Sequence, residues 1–251
     1  IRLLEEFLDT KLFIRKNSRI ELTPESSATV ADITHALDLI NEAVLALLRC
    51  CDEDVKHQEL FRGFNAAFEV DFGTPCSFVG PPPHVVREVL GHHPLAVLLL
   101  TAMLDWVTQR HHLEGFRHPD QPIDPCFRRL LQVHWLEESG HGKLDLLEIR
   151  RVARGLSEAE LHHVFDDLAA LCGVVDGLLA AQAALEVRAV TRHLALYLEH
   201  DLAGRLEAAL WRGHRWTFLG AGLSHPVITR VVEEQMPAEV GRLEALAAHF
   251  C

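Results

Sequence analysis

LAALCGVVDGLLAAQAALEV, residues 168–187, is the stretch on which the fold class turns. It is nearly apolar all round and dominated by Leu and Ala, which lose little on entering a helix. It therefore predicts a long helix buried on most sides. Ser157 and Glu160, just upstream, have the spacing of a capping box and set the helix start. From there the helix is expected to run, with a break, to His200. PLAVLLLTAMLDWV, residues 94–107, is its counterpart: Pro94 suits a first helical turn, and residues 95–104 are apolar except Thr101. The chain is rich in Leu, Ala, Glu and Arg and has a single tyrosine. The expectation is an all-α protein.

Working outward, Pro94 to about Glu114 and Cys126 to about Arg154 read as long helices, the second tolerating Gly140 and Gly142 at some cost. A fourth helical region covers Leu202 to about Leu223 and ends near Gly222 and Pro226. Val227–Cys251 gives two short helices parted by Pro237. Near the start, residues 1–15 have helical spacing of Leu3, Leu4, Leu8, Leu12 and Phe13, and KNSRIELTPESSAT follows as a polar connector. Val30 to about Cys51 repeats Ile33, Leu37, Ile40, Ala43 and Leu47 at helical intervals, and Asp54–Phe68 reads as a further short helix. FGTPCSFVGPPPH, residues 72–84, carries three successive prolines and reads as an extended spacer. The expected organisation is one helical domain over residues 1–251, with an N-terminal layer (1–71), a bundle core (94–225) and C-terminal helices (227–251).

Composition narrows the function classes. Nearly half of the 251 residues are hydrophobic, enough for a substantial core, and the net charge is −12. That balance argues against nucleic acid, whose phosphates need a concentrated basic face. Six cysteines are spread without CxxC or disulfide-like spacing, so reduced thiols and a cytoplasmic location are expected. The apolar run from Pro94 to Val107 is shorter than the ~20 residues of a membrane span and contains Asp105, so no membrane insertion is expected there. The first residue is Ile rather than Met, which suits processing or truncation.

Seventeen histidines raise the question of metal. In HWLEESGHGKLD, residues 134–145, His134, Glu138, His141 and Asp145 fall within a strip about 60° wide at about 100° per residue; Glu137 lies at its margin. A carboxylate one turn before a histidine can share a metal ion with it. Alone, such spacing is equally a solvated helix face. Asp105 and Asp176, however, each interrupt an apolar helix, where an unpaired carboxylate would suffer a desolvation penalty of several kcal/mol. Pairing with Arg or His, protonation, or metal coordination would relieve it. Glu186 shares a polar strip with Gln182 and His193 and competes with Asp176. His214 and His225 lie about 20° apart around an unbroken helix. For each of these two, ordinary hydrogen bonding competes with ligation. Trp106, Trp135 and Trp216 read as core or interface residues.

HWLEESGH, together with the acids of the neighbouring long helices, resembles the ferritin-like di-iron-carboxylate superfamily, including its bacterial oxygenase branches. The resemblance covers roughly residues 94–225. It implies a four-helix bundle with additional N- and C-terminal helices. Glu138 and His141 match the Glu-x-x-His element, and Asp105 and Asp176 stand where two other helices would each give a single Glu. The second Glu-x-x-His element is missing from the fourth helix. Glu160-Leu161-His162-His163 has the spacing but looks like a cap, and Asp54-Val55-Lys56-His57 lies in a short polar stretch that reads as surface.

What the resemblance implies is a metal-dependent oxidoreductase, a di-iron oxygenase or oxidase that uses dioxygen on a small organic substrate. Two iron ions, with manganese as the alternative, would lie among Asp105, Glu138, His141 and Asp176, completed by Glu186, His214 or His225. A homodimer is an admissible assembly. The competing expectation is a non-enzymatic helical scaffold or hydrophobic-ligand-binding module without metal, its acids paired with Arg, His or helix ends. A nucleophilic-triad hydrolase ranks lower, because neither Ser139 nor Ser224 sits in G-x-S-x-G. Neither a P-loop nor a dinucleotide fingerprint is present.

Overall fold

A computed structural model describes residues 5–6, 9–16, 19–75, 77–80, 83–117, 122–194 and 200–251. Among the described residues the protein is all-α apart from one hairpin. The chain divides into two compact units, residues 1–55 and 56–251. The division falls inside a helix, within the stretch read from sequence as one N-terminal layer.

The first unit corrects the sequence reading at its start. Phe13–Lys16 (β1) and Arg19–Leu22 (β2) form an antiparallel hairpin with Phe13 opposite Leu22 and Lys16 opposite Arg19. FIRK fits a helix pattern only over a few residues and RIEL reads as part of a polar connector, yet the β-branched residue in each suits the pleat equally well. Leu3, Leu4 and Leu8 lie outside the described residues. Thr23 then caps helix α1 (Pro24–Phe72), accepting from the Ser26 amide at 3.1 Å. The expected break between residues 51 and 54 does not occur. Polar residues such as Cys51-Asp52-Glu53-Asp54 do not interrupt a helix; only at Gly73, with φ +69°, does the chain leave it. The apolar repeat of Ile33, Leu37, Ile40 and Leu47 is exposed among the described residues, between 50 and 60% for each side chain.

In the second unit the start and stop signals act as expected. After a short helix α2 (Pro83–Val89), His93 caps α3 (Pro94–His111), its Nδ1 accepting from Leu95 N at 3.1 Å. A π-type turn, His112–Phe116, extends α3. Asp124 caps α4 (Pro125–Ala153) through Phe127 N at 2.8 Å. Ser157 and Glu160 form the capping box of α5 (Glu158–His193). Helix α6 (His200–His214) passes through a π-type segment, Arg215–Gly220, into a last turn at Ala221–Leu223. Helices α7 (Pro226–Gln235) and α8 (Val240–Phe250) follow, separated by the Pro237–Glu239 turn.

Helix α3 is the centre of this bundle, packed on α4, α5 and the 215–223 segment. Leu95, Leu99 and Met103 meet Phe165, Leu168 and Leu171 of α5 and Leu219 and Leu223 in one core, all nearly inaccessible. Each such side chain stabilises the fold by roughly 1.5–3 kcal/mol. Two glycines admit close crossings. A Cβ on Gly142 would lie 2.9 Å from Trp106 Nε1, and one on Gly222 would lie 2.9 Å from Met103 O. The Trp106 indole uses that gap to donate to Gly142 O at 3.2 Å. Gly140, by contrast, faces nothing within 4 Å.

By length and composition α5 is the helix among the described residues that could cross a membrane. It packs on α3 and α6 here. The described cysteines are free thiols; burial pushes the Cys172 thiol up to about 12.

Candidate metal centre

The site grows from two helical faces. On α1, His57, Phe61, Phe64, Phe68 and Phe72 recur at helical spacing and form one stripe. On α4, Phe127, His134, Glu138 and His141 do the same. The two stripes meet: Phe64 lies 4.8 Å from Phe127, and the rings of Phe61 and His57 stand edge-on to His134 at 5.1 and 4.6 Å. This packing carries His57 into the interior, where it is 5% exposed. The sequence reading of Asp54–His57 as a surface match is corrected for the histidine.

Glu138, itself 7% exposed, is the hub. Its Oε1 lies 2.9 Å from His57 Nδ1 and 2.9 Å from His134 Nε2; its Oε2 lies 3.1 Å from His141 Nδ1. The other nitrogen of His57, Nε2, lies 2.7 Å from Glu137 Oε2. Burial pushes the Glu138 carboxyl up, but hydrogen bonds from His134 and His57 and the charges of His134 and His141 outweigh it and hold the group far below the usual carboxylate range. Burial likewise pushes His57 down, and its hydrogen bonds to Glu138 and Glu137 reverse the shift, leaving it raised. A neutral imidazole has one N–H and one lone pair. With a carboxylate at each nitrogen, His57 is therefore either doubly protonated or presents one lone pair to a cation.

His57, His134 and Glu138 offer ligand atoms within 4.8 Å of one another, so this buried His/Glu group can hold a metal ion. In that state His57 would ligate through Nδ1 and donate Nε2–H to Glu137, the arrangement by which outer carboxylates orient metal-bound histidines. Two imidazoles and one carboxylate suit iron, manganese or zinc; the set contains no thiolate to favour a softer ion.

Of the residues named from sequence as ligands, the structure brings Glu138 and His141 into this group. Asp105 is half-buried on α3, one residue before Trp106. The others have partners elsewhere. Asp176 Oδ1 accepts from Trp211 Nε1 at 2.8 Å and pairs with Arg215 at 3.0 Å. Glu186 pairs with His214 at 2.9 Å and accepts from Gln182 at 3.1 Å. His225 is buried as the cap of α7 and lies 5.4 Å from the Trp106 ring; burial, with Arg110 nearby, lowers its pKa. His134 stood in the polar strip of HWLEESGHGKLD but not among the named ligands. His57 was missed as a site residue. The aromatic stripe beginning at His57 was the signal that could have found it.

No protein-family model, characterised protein or solved structure matches this chain.

Proposed function

We propose that the protein is a metal-dependent oxidoreductase whose centre is built on Glu138, and that it carries the ferritin-like di-iron arrangement in altered form. The observation that supports this reading is the division of one buried carboxylate: Oε1 faces His57 and His134, whereas Oε2 faces His141. A carboxylate so placed suits a bridge between two ions. His57 and His134 would serve one ion and His141 the other. Asp105 precedes Trp106, whose indole packs on Gly142, the residue after His141, and would be a donor on that side. Bound iron, or manganese in its place, would supply dioxygen activation for oxidation of a small organic substrate. The chain's own contribution is to hold the imidazoles in register, to fix the His57 tautomer through Glu137, and to keep the hub carboxylate ionised.

The competing reading, a metal-free helical scaffold, draws support from Asp176 and Arg215, where a half-buried acid is satisfied by a guanidinium. Metal analysis of protein purified without chelator separates the two. Iron or manganese near one or two equivalents, lost on Glu138→Ala and on His57→Ala, supports the oxidoreductase. Protein that is metal-free as isolated, and whose spectrum and stability are unchanged by anaerobic Fe(II), overturns it in favour of the scaffold.

A further inference from the structure

A second feature of α4 lies outside the Glu138 group. About 100° round the helix from His134 and Glu138, Arg128, Gln132 and Trp135 share a face and, with Arg129, form one wall of a cleft of about 610 Å³. The π-type turn contributes His112 and Leu113, and Arg117 and Ile123 complete it. We propose that this cleft binds a small organic oxyanion, a carboxylate or phosphate ester, through Arg117, Arg128 and Arg129.

Three guanidiniums line one cleft in a chain whose net charge is −12. None of the three forms an ion pair with a described acid, so each charge is open to a ligand. The three side chains are exposed and line the same cleft. Arg128 donates to Arg117 O at 2.9 Å, and Arg129 donates to Gln132 Oε1 at 3.0 Å. Guanidinium forks match the planar oxygens of a carboxylate or phosphate. The positive field is felt by His112: burial first, then Arg117 and Arg128, lower its pKa and keep it neutral.

The wall also carries unmet polar demand. His112 is 7% exposed, and its Nδ1 has no hydrogen-bond partner among the described residues; the same holds for Trp135 Nε1. Buried polar atoms are usually paired; these two belong to the rings that back the cleft. The rings of His112 and Trp135 stack at 4.2 Å and 5°, while Leu113, Ile123 and Pro125 add apolar surface for the ligand's organic body. The volume lies in the usual range for small-molecule sites.

The test uses the intact chain, both as purified and after EDTA treatment, so that it reports on the cleft apart from the metal reading. Calorimetric titrations are made with benzoate, phenyl phosphate, inorganic phosphate and neutral benzamide. At least one aromatic anion is expected to bind more tightly than both benzamide and inorganic phosphate, and the tighter of the two anions names the headgroup. Arg117→Gln and Arg128→Gln should each weaken that anion about tenfold, the scale of one charge-assisted hydrogen bond. Arg117→Lys, which keeps the charge without the fork, should recover only part of the loss. Benzamide or inorganic phosphate binding as tightly as the tighter of the two aromatic anions would overturn the proposal. So would unchanged anion affinity in folded Arg117→Gln and Arg128→Gln proteins, folding being checked by circular dichroism.

Discussion

Two carboxylates in the second unit meet opposite fates. Glu138 gathers three imidazoles, and one of these is shared with Glu137. Asp176 gathers a guanidinium and an indole N–H, and the Arg215 guanidinium lies 5.1 Å from the Trp211 ring and 4.9 Å from that of Phe250. Both arrangements relieve a partly desolvated charge. Only the first can exchange its partners' protons for a cation, because an imidazole offers a lone pair and a guanidinium does not. Burial of an acid in an apolar helix therefore does not identify a ligand; the chemistry of its partner decides.

The sharpest way to break this contrast is to neutralise each acid in turn. Glu138→Gln is expected to abolish stoichiometric metal, and Asp176→Asn to leave metal content unchanged. Asp176→Asn should instead lower unfolding stability by about 2–4 kcal/mol, because Arg215 is left without its counter-charge in a site where both side chains are under 20% exposed. Metal analysis and chemical denaturation of both variants measure the two effects. Loss of metal from Asp176→Asn would erase the distinction. A smaller effect is expected from Glu137→Gln, which touches His57 but not Glu138's oxygens: metal affinity weaker by about 10–100-fold, with the ion still bound at saturation.

The same contrast explains how much could be read from the sequence. Capping at Ser157, the helix start at Pro94, the helix end near Pro226 and the break at Pro237 are local chemistry, so they were legible. So was the Glu138–His141 pair, one turn apart on one helix. His57 lies 81 residues before Glu138 and joins it only through helix packing (57 to 138). Its immediate neighbours are polar, and only the aromatic stripe that follows it on α1 hints at its burial against α4. The separation of Asp176 from the site has the same cause: Trp211 and Arg215 come from α6 and its extension, and no periodicity within α5 reveals them. The hairpin at 13–22 was hidden because runs of four residues do not distinguish a helix face from a strand.

Below these effects comes a test of the α4 backbone that carries the site. Gly142→Ala would drive a Cβ into the Trp106 indole and is expected to destabilise by about 1–3 kcal/mol, with Trp106 fluorescence altered. Gly140→Ala, two residues earlier with open space around it, should stabilise by roughly 0.5–1 kcal/mol through helix propensity. Equal responses would mean that Gly142 has no packing role.

The smallest expected effect is in pH. His57 is raised above its ordinary 6.5, so its contribution to the stability of chelated, metal-free protein is fully present below 6.5 and lost as pH rises through its folded-state value. Glu138 is held below its ordinary 4.5, so its contribution is present above 4.5 and lost as pH falls through its folded-state value. Metal-free protein should accordingly be most stable between these two pH values and decline by a few degrees in Tm on the alkaline side. Metal affinity should move the other way over the same alkaline range, because the ligating nitrogen must first lose its proton. Thermal unfolding of EDTA-treated protein from pH 5 to 8, repeated with His57→Gln, measures the slope. A decline that persists undiminished in His57→Gln would remove that histidine from the account of the Glu138 centre.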